Sequence, residues 1–110
     1  MRMKDLTIKE LSDLIIIQAK EKGFGVSLEE IDVAEKFALI HGEVAEAFEA
    51  YRHKKNEGKD GLSMEMGDIV QRVLHLSAIL GIDIQKAILE KMDINKDRDW
   101  DWKKINEKHA

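Results

Sequence analysis

Glu43-Val-Ala-Glu46 and Glu65-Met-Gly-Asp68 are two pairs of carboxylates separated by eighteen residues. Each pair sits on a stretch with helical patterning, and residues three apart on a helix share a face. Two such helices packed antiparallel would aim four carboxylates at one small volume. Four like charges repel, and burying even one unpaired charge is costly. A hard divalent cation relieves that conflict, and oxygen-only ligands favour Mg²⁺, with Mn²⁺ as a possible substitute, over zinc or copper. The spacing therefore predicts a metal site made of Glu43, Glu46, Glu65 and Asp68.

The rest of the composition agrees with helices. The chain has 110 residues, no proline, and only three Phe, two Trp and one Tyr, while Leu, Ile, Ala, Glu and Lys dominate. Such a chain makes one all-α domain rather than a sheet. Its 18 basic and 22 acidic residues give a net charge of −4, which argues against binding a nucleic acid polymer through its phosphates. Cysteine is absent, so thiolate metal sites are excluded and a cytoplasmic location is expected. The N-terminal MRMKDLTIKE has no apolar signal region, and no stretch is apolar enough to span a membrane.

Four helices follow from capping and periodicity. Thr7-Ile-Lys-Glu10 reads as a capping box opening a helix with Leu11, Leu14, Ile15 and Ala19 at core spacing, stopped by Gly23. Ser27-Leu-Glu-Glu30 reads as a second capping box opening a long helix to about Lys54. Asn56, Gly58 and Gly61 mark a polar loop. A third helix is expected from about Leu62 to Leu80, ended by Gly81, and Asp83 caps a fourth that runs to about Asp97. The domain is assigned to residues 1–98, with 99–110 a charged tail carrying Trp100 and Trp102.

The second helix carries two apolar surfaces. At about 100° per residue, Phe37, His41, Val44 and Phe48 form one stripe. Leu39, Ile40, Ala47 and Ala50 form another, with Glu43 and Glu46 inside or beside it. A helix covered on two sides within so short a chain predicts a homo-oligomer. On the third helix, Glu65, Asp68, Gln71, Arg72 and His75 line one side, while Val70, Val73, Leu74 and Leu80 face away. On the fourth, Lys91, Asn95 and Arg98 cluster within about 60° of arc. Carboxylates for a metal beside Lys, Asn and Arg for anionic oxygens make a phosphate-handling site.

At this point the residues resemble a known family, the MazG-like all-α nucleotide pyrophosphohydrolases. His41-Gly-Glu-Val-Ala-Glu-Ala-Phe48 and Met64-Glu-Met-Gly-Asp-Ile69 look like its two central helices, and Lys91-x-x-x-Asn95-x-x-Arg98 is similar to its phosphate-contacting element. The resemblance implies a four-helix MazG-like bundle completed by homo-oligomerisation, as a dimer or tetramer. It also implies Mg²⁺-dependent hydrolysis of nucleoside triphosphates, often deoxynucleotides, to monophosphate and pyrophosphate. One position departs: Gly42 stands where the family motif often has a first glutamate, which leaves the general base open.

The expected mechanism has metal held by the four carboxylates, water attacking the α-phosphate, and pyrophosphate leaving against Lys91, Asn95 and Arg98. Glu46 is the candidate base, Lys91 also counts as catalytic, and Gln18 and Phe24 could reach the base of the nucleotide. Each feature has a plainer reading. Asp68 can pair with Arg72 four residues on, Glu65 can serve the helix dipole, and Lys91 and Arg98 can complement the end of a helix. His41 reads as a packing histidine, His75 as either a supporting group or surface, and Arg52-His-Lys-Lys55 as a solvated helix end. The competing functions are phosphoribosyl-ATP pyrophosphohydrolase and a non-catalytic nucleotide-binding or interaction module. A di-iron bundle needs two Glu-x-x-His motifs, and none is present.

Overall fold

The computed structural model describes residues 5–97. Arg98, Trp100, Trp102 and the tail assigned to 99–110 lie outside the described residues. Within them the chain is all-α, with four helices: α1 Ile8–Glu21, α2 Val33–Arg52, α3 Leu62–Ile79 and α4 Ile84–Lys96. None is long and apolar enough to cross a membrane.

Local chemistry sets three of the four starts as expected. Thr7 and Glu10 form both halves of a capping box on α1. Asp83 accepts the Lys86 N–H at 3.1 Å to start α4, and Gly61 precedes α3. The second helix starts later than its capping box predicts. Ser27 Oγ does bond Glu30 Oε1 at 2.9 Å, but this closes a single turn. Asp32 then accepts the Glu35 N–H at 3.1 Å and becomes the true cap of α2. The reason lies in Ile31, which folds back over Gly25: a Cβ on Gly25 would come within 2.5 Å of Ile31 Cγ2. The chain at Ile31 is committed to that contact, so the turn cannot continue into α2.

The helix α3 is the axis of the bundle. It packs chiefly against α2, with α1 on another side, and α1 and α2 do not approach one another. The connection 53–61 is tight enough that a Cβ on Gly61 would meet the Glu57 carbonyl oxygen at 2.5 Å. Only glycine fits there, and it lets α3 fold back directly along α2. Alanines do the rest: Ala47 and Ala50 of α2 and Ala19 of α1 are buried against it, with Leu74 and Leu76. The second apolar patch of α2 is therefore the one that meets α3.

The Phe37–Val44–Phe48 stripe faces outward, and Phe48 is 59% exposed. His41 on that stripe is exposed too, so among the described residues it is not a buried packing histidine. On α1, Leu11 and Leu14 remain more than a third exposed despite their core spacing. Val70 of α3 and Leu80 at its C-cap, expected to face away from the acidic side, are also exposed. The buried set is correspondingly small. Only α1 and α3 touch α4, whose anchor is the Lys9 N–H bond to Gln85 Oε1 at 3.0 Å.

Candidate metal centre and its cavity

Close approach of α2 and α3 carries Glu43, Glu46 and Glu65 to one place. Each offers a carboxylate oxygen within 4.8 Å of the others. Glu65 is buried although it lies in the first turn of α3, where the helix dipole alone would favour its anion. Burial, and then the negative charges of Glu46, Asp68, Glu43 and Asp60, push its carboxyl above the ordinary 4.5. Glu43 Oε2 and Glu65 Oε2 are buried with no hydrogen-bond partner among the described residues. Native proteins seldom leave buried polar atoms unsatisfied without a reason.

The donor set fits a hard divalent cation. It is all oxygen, it is anionic, and two of its oxygens lack a protein partner. Two oxygens across one Mg²⁺ stand about 4.1 Å apart, so the observed spacing needs only side-chain adjustment. Asp68 stands outside this trio. It is exposed and shares with Glu43 a cavity of about 240 Å³.

That cavity lies between α1 and α3 and is also lined by Gln18, Lys22, Phe24, Arg72 and His75. Gln18 and Phe24 thus meet two of the predicted ligands across one space. His75, half-buried, has Nε2 2.8 Å from the Gly25 carbonyl oxygen and ties the loop carrying Phe24 to α3. Arg72 donates Nε–H to Glu43 Oε1 at 2.8 Å, so its partner is Glu43 across the seam and not Asp68 four residues earlier. Lys22 is a lining residue that sequence reasoning missed. Its i, i+4 relation to Gln18 on α1 was the available signal.

A second cavity, about 400 Å³, opens on the other side of the trio and is lined by Glu46, Glu65, His53 and Lys55. Here the Arg52–Lys55 run is engaged locally: Glu49 pairs with Arg52 at 3.5 Å and His53 at 3.0 Å, and Lys55 faces Asp60 at 3.9 Å. Lys91 and Asn95 are not brought to the carboxylates within one chain. They sit on α4, which does not approach α2, and neither lines the cavity holding Glu43 and Asp68. Asn95 is half-buried and Lys91 exposed.

Comparison with protein families matches residues 32–100 to the MazG nucleotide pyrophosphohydrolase domain. No curated protein and no solved structure matches the chain.

Proposed function

The chain belongs to the MazG nucleotide pyrophosphohydrolase domain family, and on that premise we propose that it hydrolyses nucleoside triphosphates, deoxynucleotides among them, to monophosphate and pyrophosphate. Membership implies a pyrophosphohydrolase type of activity. The observation that carries the finer reading is the trio Glu43, Glu46 and Glu65, with two buried oxygens lacking partners beside a cavity.

In this reading Glu43, Glu46 and Glu65 hold Mg²⁺, or Mn²⁺ in its place, with Asp68 at the edge of the set. Such an ion neutralises polyphosphate charge and lowers the pKa of a water bound to it. The chain's own groups do the rest. Glu46, the exposed member of the trio, accepts a proton from the attacking water. The oxygen of that water bonds to the α-phosphorus, the bond from the α-phosphorus to the bridging oxygen breaks, and pyrophosphate leaves with that oxygen. The cavity beside Gln18 and Phe24 takes the base. At about 240 Å³ it is smaller than the roughly 300–1,000 Å³ of sites that enclose a whole ligand, so one chain covers only part of a nucleotide.

The remainder comes from a second copy. Phe37, Val44 and Phe48 of α2, and separately Leu89 and Met92 of α4, are all about half exposed or more, two apolar surfaces that the described residues leave uncovered. A homodimer or homotetramer in the cytoplasm covers both and carries Lys91 and Asn95 of α4 to a neighbouring acidic trio, where they hold the departing pyrophosphate. The test is pyrophosphate release from a panel of canonical and modified NTPs and dNTPs, with Mg²⁺ and with EDTA. Metal-dependent release with matching monophosphate is expected. Activity confined to phosphoribosyl-ATP would make that compound the substrate, and silence from folded protein that binds Mg²⁺ would make the chain a binding module.

A further inference from the structure

Among the described residues, Glu43 is the one member of the acidic trio with a cation of its own. Its side chain is 12% exposed, and Arg72 reaches across from α3 to donate Nε–H to Oε1 at 2.8 Å. The other oxygen, Oε2, is buried and has no hydrogen-bond partner. The carboxylate is thus divided, with one oxygen held and the other left to ligate. Arg72 also approaches by the side of its guanidinium. Both Nη groups are left over, with no ion pair or hydrogen bond among the described residues, and the side chain lines the cavity beside Asp68 and Gln18.

We propose that Arg72 is the positioning residue of this site: it fixes Glu43 so that Oε2 meets the divalent ion beside Glu46 and Glu65, and it presents its Nη groups to the nucleotide's phosphate oxygens. The proposal rests on the pyrophosphohydrolase reading and adds a residue to it. A guanidinium suits both tasks, because its planar fork binds a carboxylate through one edge and a phosphate through another. An ammonium at the same place is a single point charge.

Two effects oppose each other when Arg72 is removed. Losing a cation near an anionic cluster strengthens the binding of a divalent ion, by about thirtyfold for a solvated charge some 4 Å away and by about tenfold once salt screens it. Losing the bond that orients a ligand weakens metal binding by about 10–100-fold. Arg72 is 40% exposed, so the screened charge effect is the smaller and positioning decides the sign. The net expectation is a loss of about threefold, and of up to about tenfold where positioning is strongest.

The experiment titrates Mn²⁺ calorimetrically into the full chain without nucleotide, for wild type, Arg72→Met, Arg72→Lys, Glu43→Gln and the Glu43→Gln/Arg72→Met double variant. Arg72→Met should bind Mn²⁺ about threefold to tenfold more weakly at unchanged helicity, and Arg72→Lys should recover little of the loss. In the Glu43→Gln background, removing Arg72 should cost nothing further, because its effect passes through Glu43. With saturating Mn²⁺, a non-hydrolysable triphosphate analogue should also bind Arg72→Met more weakly. Equal or tighter Mn²⁺ binding by Arg72→Met, full rescue by lysine, or additive losses in the double variant would each overturn the proposal. If Arg72→Met does not fold, Arg72→Lys decides alone. A wild type that binds no Mn²⁺ overturns instead the metal site itself, and with it the reading on which the proposal stands.

Discussion

The seam between α2 and α3 and the surface of α4 are built from much the same helix-forming residues, yet they finish in opposite states. Along the seam Ala47, Ala50 and Leu74 are buried, and a glutamate, Glu65, is buried with them. Along α4 no residue is buried, and Leu89, Met92 and Ile94 stand more than half exposed. Side-chain size accounts for the first state. Alanines on α2 and the glycine at the turn let two backbones approach until their carboxylates share one space. Position in the fold accounts for the second, since among the described residues α4 meets only α1 and α3 and leaves its own apolar residues uncovered. Within one chain the acidic trio is brought together, while Lys91 on α4 stands away from it.

The largest expected effect breaks the seam's chemistry and leaves its packing alone. Glu46→Gln removes the proposed base and one ligand from an exposed position, so pyrophosphate release should fall by roughly 10²–10⁴-fold with little loss of helicity. Near-normal turnover would show that the carboxylates are a solvated acidic face after all. The same logic on the other side of the comparison targets assembly. Leu89→Lys together with Met92→Lys should leave the single chain's helices intact while shifting its mass in light scattering towards the monomer. Activity should fall in step, because Lys91 and its neighbours then no longer reach a neighbouring trio. Unchanged mass would mean that α4 is not an interface.

How much of this was legible beforehand differs between the two regions. Helix periodicity, the Thr7 and Asp83 caps and the Gly61 turn are local signals, and α1, α3 and α4 begin where those signals stand. Glu43, Glu46 and Glu65 were also legible, because their spacing fixes a face of each helix and the short turn fixes which faces meet. The late start of α2 was not. It goes with Ile31 folding over Gly25, six residues earlier, and with His75 holding the Gly25 carbonyl from fifty residues away, contacts that no capping pattern encodes. The plainer reading of Asp68, a pair with Arg72, gives way to an inter-helix contact, since Arg72 bonds Glu43. Helical spacing makes every i, i+4 pair look plausible, whereas the distance between two helices decides which partner is nearer.

Overpacking the seam is the next test in size. Ala47→Leu inserts methylenes where α2 and α3 touch and should cost about 1–3 kcal/mol of stability, read from denaturant midpoints. Glu65 gives a subtler test. Its carboxyl is held above the ordinary 4.5, so between 4.5 and the raised value the folded chain binds more protons than the unfolded one. Stability from this residue is therefore lost as pH rises through that window and regained as pH falls back towards 4.5. Glu65→Gln keeps the neutral form at all pH. The metal-free variant should melt above wild type at pH 7, the difference should shrink on acidification, and the variant should gain less from Mg²⁺. A difference that grew on acidification would mean that Glu65 is stabilised as an anion.

The smallest effect discriminates between the two outward faces of α2. Gly42 sits inside the helix, where glycine costs about 0.5–1 kcal/mol relative to alanine. A Cβ there would meet nothing within 4 Å in a single chain. At about 100° per residue, Gly42 lies roughly 120–160° from Phe37, Val44 and Phe48, the stripe assigned to a second copy. If that stripe is the interface, Gly42→Ala adds a methyl to a face that stays open. The melting temperature should then rise by about 3–5 °C for a domain of this size, at unchanged mass. A methyl that instead lowered the mass would place the partner over the face next to Glu43. The second subunit would then cover the metal site directly, and the cations of α4 would reach it from that side.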